Sequence, residues 1–221
     1  VSLPLVLLPG MMCDHRMWGV IPLTDVIHMT PTGSSMSAMA AQVLAAAPPR
    51  FALAGLSMGG ILAMEVLRLA PERVERLALF DTNPLAEAPE VQARRALQIT
   101  RSVSDLGGLM TDTLIPNYFA KPQPKAEALC LQMALDLGPR VFAEQSLALR
   151  DRRDQQATLA AYPGPALVLM GEHDRLCPRD RHDLMARLLP RSKLVILPGA
   201  GHIPPLETPG LFTNALKDWL C

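Results

Sequence analysis

The chain lacks any excess of one charge: 21 lysines and arginines stand against 21 aspartates and glutamates, with no block of like sign. Binding to nucleic acid or to an acidic membrane surface rests on a basic face, so neither partner is expected. Long hydrophobic runs are also missing. Hydrophobic residues make up 49% of the 221, yet prolines, glycines and charges interrupt them before any stretch could span a bilayer. The apolar opening VSLPLVLLPG has two prolines and no basic leader, so it reads as a first buried strand rather than a secretion signal. Paired cysteines are absent too: Cys13, Cys130, Cys177 and Cys221 are widely scattered, without CxxC spacing. Nor do the five histidines combine with them into a zinc pattern. Free thiols in a reducing cytoplasm, and no bound metal, are the expectation. What remains is a balanced chain long enough for one substantial core.

What is present is alternation. Short apolar runs at 5–8, 26–29, 51–56, 77–80, 166–170 and 194–197 are bounded by Pro, Gly or Asp. Each is too short for a helix, and most are apolar on both faces, as strands of a parallel sheet buried on both sides would be. Stretches of helical character separate them, at 37–47, 58–69, 179–189 and 211–220. The pattern predicts an α/β fold: a mostly parallel sheet of about six strands, flanked by helices and built from right-handed crossovers. One block departs from it. From about residue 84 to 162 no strand-like run occurs, and helical segments are expected at 89–102, 106–115, 125–137, 139–149 and 155–161. The expected organisation is a core of 1–83 and 163–221 with an all-helical insertion, 84–162.

The segment Gly55-Leu56-Ser57-Met58-Gly59 closes one strand-like run and opens a helical one. A nucleophile on so sharp a turn takes strained backbone angles, and the crossing of strand and helix leaves no room for flanking side chains. Gly55 and Gly59 supply that room, and Gly60 relieves the first helical turn. The N–H of Met58, at a helix N-terminus, favours a developing oxyanion. A serine hydroxyl needs a base oriented by an acid, and the motif places both later in the chain, acid first. PALVLMGEHDRLCP is a strand running into a loop with Asp174, and SKLVILPGAGHIPPLETP is the next, running into a loop with His202. One helical crossover separates them, so both loops emerge at the same sheet edge, where parallel sheets carry their sites. Asp81 also ends a strand and is the rival acid, with a turn role as its plainer alternative; Glu172 is a further carboxylate. Among the other histidines, His15 and His173 fit the expected order less well than His202. His28 lies in or at the end of a strand run and His182 on an exposed helix, so both read as structural or solvated. The loop after the first strand, LLPGMMCD, offers the N–H of Met11 as a second oxyanion donor, with Gly10 permitting the turn.

Together LLPGMMCDHRMW, GLSMGG, GEHDRLCP and GAGHIPPLETP resemble the α/β-hydrolase superfamily, in particular its small bacterial members with a helical cap. The resemblance runs along nearly the whole chain and is weakest through 84–162. It implies Ser57 as nucleophile, Asp174 as acid, His202 as base, Met11 and Met58 as oxyanion donors, and 84–162 as the cap. It further implies a cofactor-free carboxylesterase acting on small to medium esters with an apolar acyl or alkyl part. Thioesterase, lactonase, C–C hydrolase and acyltransferase chemistry share the same triad. A binding protein that keeps the pocket without turnover is the alternative of a different class. Two departures stand out. Pro9-Gly10 occupies the place where many members carry His-Gly, and the hairpin that usually precedes the first motif-bearing strand is not expected. The twelve methionines suit adaptable packing around such a pocket, with cap-to-core packing as their plainer role.

Overall fold

A computed structural model describes residues 3–221 as an α/β fold around one six-stranded sheet. The strands are β1 (Leu5–Leu8), β2 (Val26–His28), β3 (Phe51–Leu56), β4 (Val74–Phe80), β5 (Ala166–Gly171) and β6 (Ser192–Leu197). Their order is β2-β1-β3-β4-β5-β6, and every neighbouring pair is parallel. Side chains alternate across a strand, and here both faces are covered. Leu5, Leu7, Ala52, Ala54, Phe80 and Leu169 enter one apolar cluster, while Val6, Leu8, Leu53, Leu77, Leu79 and Val168 enter another. Trp18 packs on the first face, together with Phe212, Leu216 and Trp219 of α8 (Pro209–Leu220). Helices α1 (Met36–Ala46), α2 (Met58–Leu69) and α6 (Arg179–Leu188) cover the second. Burial on both faces is why the inner strands read as continuous apolar runs.

The strand ends differ from the apolar pattern for a physical reason. β4 begins at Val74 and β6 at Ser192, because polar residues at the less buried ends still pair their backbones. The hydrophobic signal marks only the part of a strand that the helices cover.

Between β4 and β5 the described residues form no strand. Helix α3 (Pro89–Leu109) packs along α4 (Pro124–Arg150), and a short α5 (Gln156–Ala160) follows. Two of the breaks expected from the sequence are kinks within longer helices. At Asp105 the backbone leaves helical angles (φ −150°, ψ 61°), and its carboxylate accepts the N–H of Gly108 at 2.8 Å, capping the next segment. At Gly138 φ is +80°, a region open to glycine, and Pro139 starts the following segment, where a proline lacks no needed N–H. Between α3 and α4, a π-helical turn (Met110–Leu114) and a 3-10 turn (Ile115–Asn117) carry the chain towards the sheet edge.

The end of this helical block is anchored in the core. Leu149, Leu159 and Tyr162 join the second apolar cluster, and buried Glu65 of α2 accepts hydrogen bonds from Ser37, Arg68 and Gln155. Among the described residues no helix is long and apolar enough to cross a membrane. All four cysteines are free, although Cys13 and Cys130, far apart in sequence, adjoin in the core.

Candidate active site

Ser57 sits between β3 and α2 with φ 55° and ψ −117°, a strained conformation for a residue with a side chain. Such a conformation costs about 1–3 kcal/mol and persists only where its surroundings enforce it. Here they do. The N–H of Ser57 donates to the carbonyl of Phe80 at 2.9 Å, and its own carbonyl accepts from Thr82 Oγ1 at 2.7 Å. A Cβ at Gly55 would lie 2.1 Å from the Gly59 carbonyl oxygen, and one at Gly59 would lie 2.0 Å from that of Leu8. Both flanking glycines are therefore demanded by backbone contact, as the motif predicts.

His202 follows β6, and its Nδ1 lies 2.9 and 3.0 Å from the two oxygens of Asp174, which follows β5. The Asp174 Oδ1 also accepts the N–H groups of Leu176 (2.8 Å) and Cys177 (3.1 Å). Burial pushes this carboxyl up, but the charge and hydrogen bond of His202 and the two N–H groups outweigh it and hold Asp174 below the usual range. An ionised Asp174 can only accept, so Nδ1 of His202 carries the proton and Nε2 is left as the basic nitrogen. Ser57 and His202 line one cavity of about 670 Å³, and Met11 and Met58 line it with them. The N–H groups of Met11 and Met58 have no acceptor among the described residues.

The competing residues occupy other places. Asp81 is fully buried with φ 44°; its Oδ1 accepts the Gly171 N–H at 2.8 Å, and its Oδ2 has no partner among the described residues. Burial, then the adjacent charge of Asp174, pushes the Asp81 carboxyl well above the usual range. It latches β4 to β5, and its surroundings favour the protonated form. Glu172 is exposed and accepts from Gly199. His15 and His28 meet edge to face away from the cavity, and His173 is exposed beside Glu172. His182 corrects the expectation of an exposed helix face: it is fully buried. Its Nε2 accepts the Thr82 N–H at 3.3 Å, and its Nδ1 faces the Pro178 carbonyl, so it holds the threonine that grips Ser57.

Three further residues support the site and carry no local signal. Gln145 of α4 accepts the N–H of Met12 at 2.9 Å through Oε1, bracing the loop after β1 where Pro9-Gly10 offers no side chain to do so. The carbonyl of Tyr118 accepts the N–H of His202 at 2.7 Å. Glu207, in α7 (Pro204–Glu207), accepts from Gly201 at 2.7 Å and from Ala120 at 2.8 Å, tying the His202 loop to the helical block. Two groups have potential metal-ligand atoms within 4.8 Å of one another: Asp174, Cys177 and His202, and Asp81, Asp174 and His182. Both share Asp174, whose oxygens already accept from His202 and two backbone N–H groups.

A sequence profile of the alpha/beta hydrolase family matches residues 5–215. The chain belongs to that family. This hydrolase is 30% identical over 193 residues to a pimeloyl-[acyl-carrier protein] methyl ester esterase of Klebsiella pneumoniae strain 342, covering 82% of this chain and 74% of the relative. Among solved structures it superposes on a thermophilic esterase from Thermogutta terrifontis, described with malate bound, at TM-score 0.91 and 30% identity, covering 100% of this chain and 90% of that one. The enol-lactonase of Burkholderia xenovorans LB400 shares the fold at TM-score 0.86 and 22% identity, covering 100% and 92%.

Proposed function

We propose that this hydrolase cleaves small to medium carboxylic esters through Ser57, His202 and Asp174. The observation that carries the reading is the His202–Asp174 pair, hydrogen-bonded at 2.9 and 3.0 Å, facing the same cavity as strained Ser57. In this mechanism Nε2 of His202 takes the Ser57 proton while Oγ attacks the ester carbonyl. The oxyanion of the tetrahedral intermediate accepts from the N–H groups of Met11 and Met58. Collapse breaks the bond to the alcohol, which leaves with the proton from His202. Water then attacks the acyl-enzyme with His202 as base and releases the acid and free Ser57. The sequence of steps needs no cofactor.

Residues 84–162 act as the cap over a core of 1–83 and 163–221. The cavity wall includes Leu56, Ile61, Leu85, Leu114 and Ile203, which suits an apolar acyl or alkyl part. Ten of the twelve methionines are buried and serve the core, Met58 among them, and Met11 and Met58 also line the cavity. Names of relatives, a methyl ester esterase and a thermophilic esterase, favour hydrolysis of an open-chain oxygen ester over the thioester, lactone, C–C bond or acyl transfer alternatives. Four free cysteines accord with residence in a reducing cytoplasm.

The test is labelling by a fluorophosphonate probe and turnover of p-nitrophenyl acetate, each compared with Ser57→Ala. Wild type labels and turns over, and the variant does neither. Equal behaviour of the two would make the protein a ligand-binding member of the fold.

A further inference from the structure

The wall of the candidate active-site cavity is not balanced in charge, although the chain as a whole is. Five arginines line it against two glutamates. Three of these seven residues form a buried cluster. Glu87 Oε2 accepts from Arg95 Nε at 2.6 Å, with Arg95 Nη2 on the same oxygen, and Glu87 Oε1 pairs with Arg152 Nη1 at 2.9 Å. The side chains are 5%, 12% and 7% exposed for Glu87, Arg95 and Arg152. Arg152 Nε is spent on the carbonyl of Leu85 at 2.9 Å. Two guanidiniums thus share one carboxylate, leaving a positive charge unneutralised where water is scarce.

That arrangement is costly unless something completes it. A buried charge without a partner is strongly unfavourable, and here one carboxylate serves two cations. Burial and the neighbouring Arg95 together disfavour the charge on Arg152, and Glu87 offsets them only in part. At the rim, exposed Arg94 and Arg175 line the same cavity and have no partner among the described residues. Arg181 is paired with Asp180 at 2.9 Å, and Glu90 is the one other acid on the wall, at an exposed position. Guanidinium forks match planar or tetrahedral oxyanions through paired N–H donors.

We propose that Arg95, Arg152 and the rim arginines Arg94 and Arg175 form an anion subsite of the ester pocket, which receives a carboxylate or phosphate group carried by the substrate. The preferred substrate is then an ester with a charged end, not a simple alkyl ester. The inference deepens the esterase reading and rests on it for the word substrate, but binding of the anion does not depend on catalysis.

The experiment uses Ser57→Ala protein and isothermal titration with glutarate, with propyl phosphate, and with neutral glutaramide. One or both anions bind at least about tenfold more tightly than glutaramide, and the tighter of the two identifies the group. Arg95→Gln leaves Glu87 paired with Arg152 and removes the excess charge, so anion affinity falls about tenfold. Exposed Arg187→Gln, on α6, leaves it unchanged. Should Arg95→Gln fail to fold, Arg94→Gln combined with Arg175→Gln weakens anion binding instead, and added salt weakens it in every version. In active protein, kcat/KM for mono-p-nitrophenyl glutarate exceeds that for p-nitrophenyl pentanoate, and the ratio drops in the arginine variants. Anions that bind no better than glutaramide, or arginine variants that behave like Arg187→Gln, overturn the subsite while leaving esterase activity standing. Anion binding without turnover of either p-nitrophenyl acetate or mono-p-nitrophenyl glutarate by wild type keeps the subsite and overturns the esterase reading.

Discussion

Replacing Asp174 by Asn separates the two buried carboxylates that end neighbouring strands. In the proposed mechanism His202, only 3% exposed, takes the Ser57 proton and becomes an imidazolium, and Asp174 is the anion that stabilises it. The structure also dictates how an asparagine would sit. Leu176 and Cys177 both donate to Oδ1, so the side-chain oxygen of Asn stays there and its amino group occupies the position of Oδ2, 3.0 Å from His202 Nδ1. That amino group donates to Nδ1 and favours the wrong tautomer, with the proton on Nε2 where the base should be. Removing one partner of a buried, hydrogen-bonded charge pair costs about 3–5 kcal/mol, equivalent to about two to four orders of magnitude in rate. The expected result is a fall of that size in kcat for p-nitrophenyl acetate, with KM little changed and the melting transition retained. Asp81→Asn is the comparison. It puts an amide where burial already disfavours the charged carboxylate, and that amide can still accept the Gly171 N–H, so turnover stays within about threefold of wild type. An active Asp174→Asn protein beside an inactive Asp81→Asn one would refute the assignment of the acid.

Asp81→Asn also bears on pH. The folded protein holds this proton above the usual carboxylate range, so the native chain binds more protons than the unfolded one and stability declines as pH rises from about 4; the variant loses that decline, as urea titrations at pH 5 and pH 8 would register. Glu65 has the opposite sign. Arg68 first, against the effect of burial, and then Ser37 and Gln155 hold its carboxyl at about 2, which contributes about 3 kcal/mol at neutral pH. That contribution is complete above the ordinary glutamate range and is lost as pH falls towards 2; Glu65→Gln is therefore less stable at pH 7, and the gap closes in acid denaturation curves taken down to pH 2. Gly59→Ala drives a Cβ into the backbone of Leu8 and is expected to prevent soluble expression or remove the cooperative melt, whereas Gly210→Ala, with nothing within 4 Å, shifts stability by less than about 1 kcal/mol.

The local chemistry of the chain determined much of this protein. Gly55 and Gly59 are legible because strand, tight turn and helix can cross so closely only where no Cβ intervenes, and that demand falls on fixed offsets from Ser57. The inner strands are legible because burial on two faces leaves no polar position to obscure them, while the ends of β4 and β6 are not, since backbone pairing tolerates polar side chains there. The kinks at Asp105 and Gly138 follow from a cap and a glycine-proline pair that act within a few residues. Other features were decided only by the tertiary structure. Asp81 and Asp174 have the same local setting, a carboxylate after a strand, and the opposite directions in which their carboxyls are pushed come from which one meets His202 and which is sealed behind it. His182 has the spacing of a surface helix residue, yet the helix is turned so that it supports Thr82. Gln145 against Met12, Tyr118 against His202, and Glu87 between two arginines join residues distant in sequence through single contacts. A periodic pattern averages over many residues, but one such contact depends on two positions and the path of everything between them.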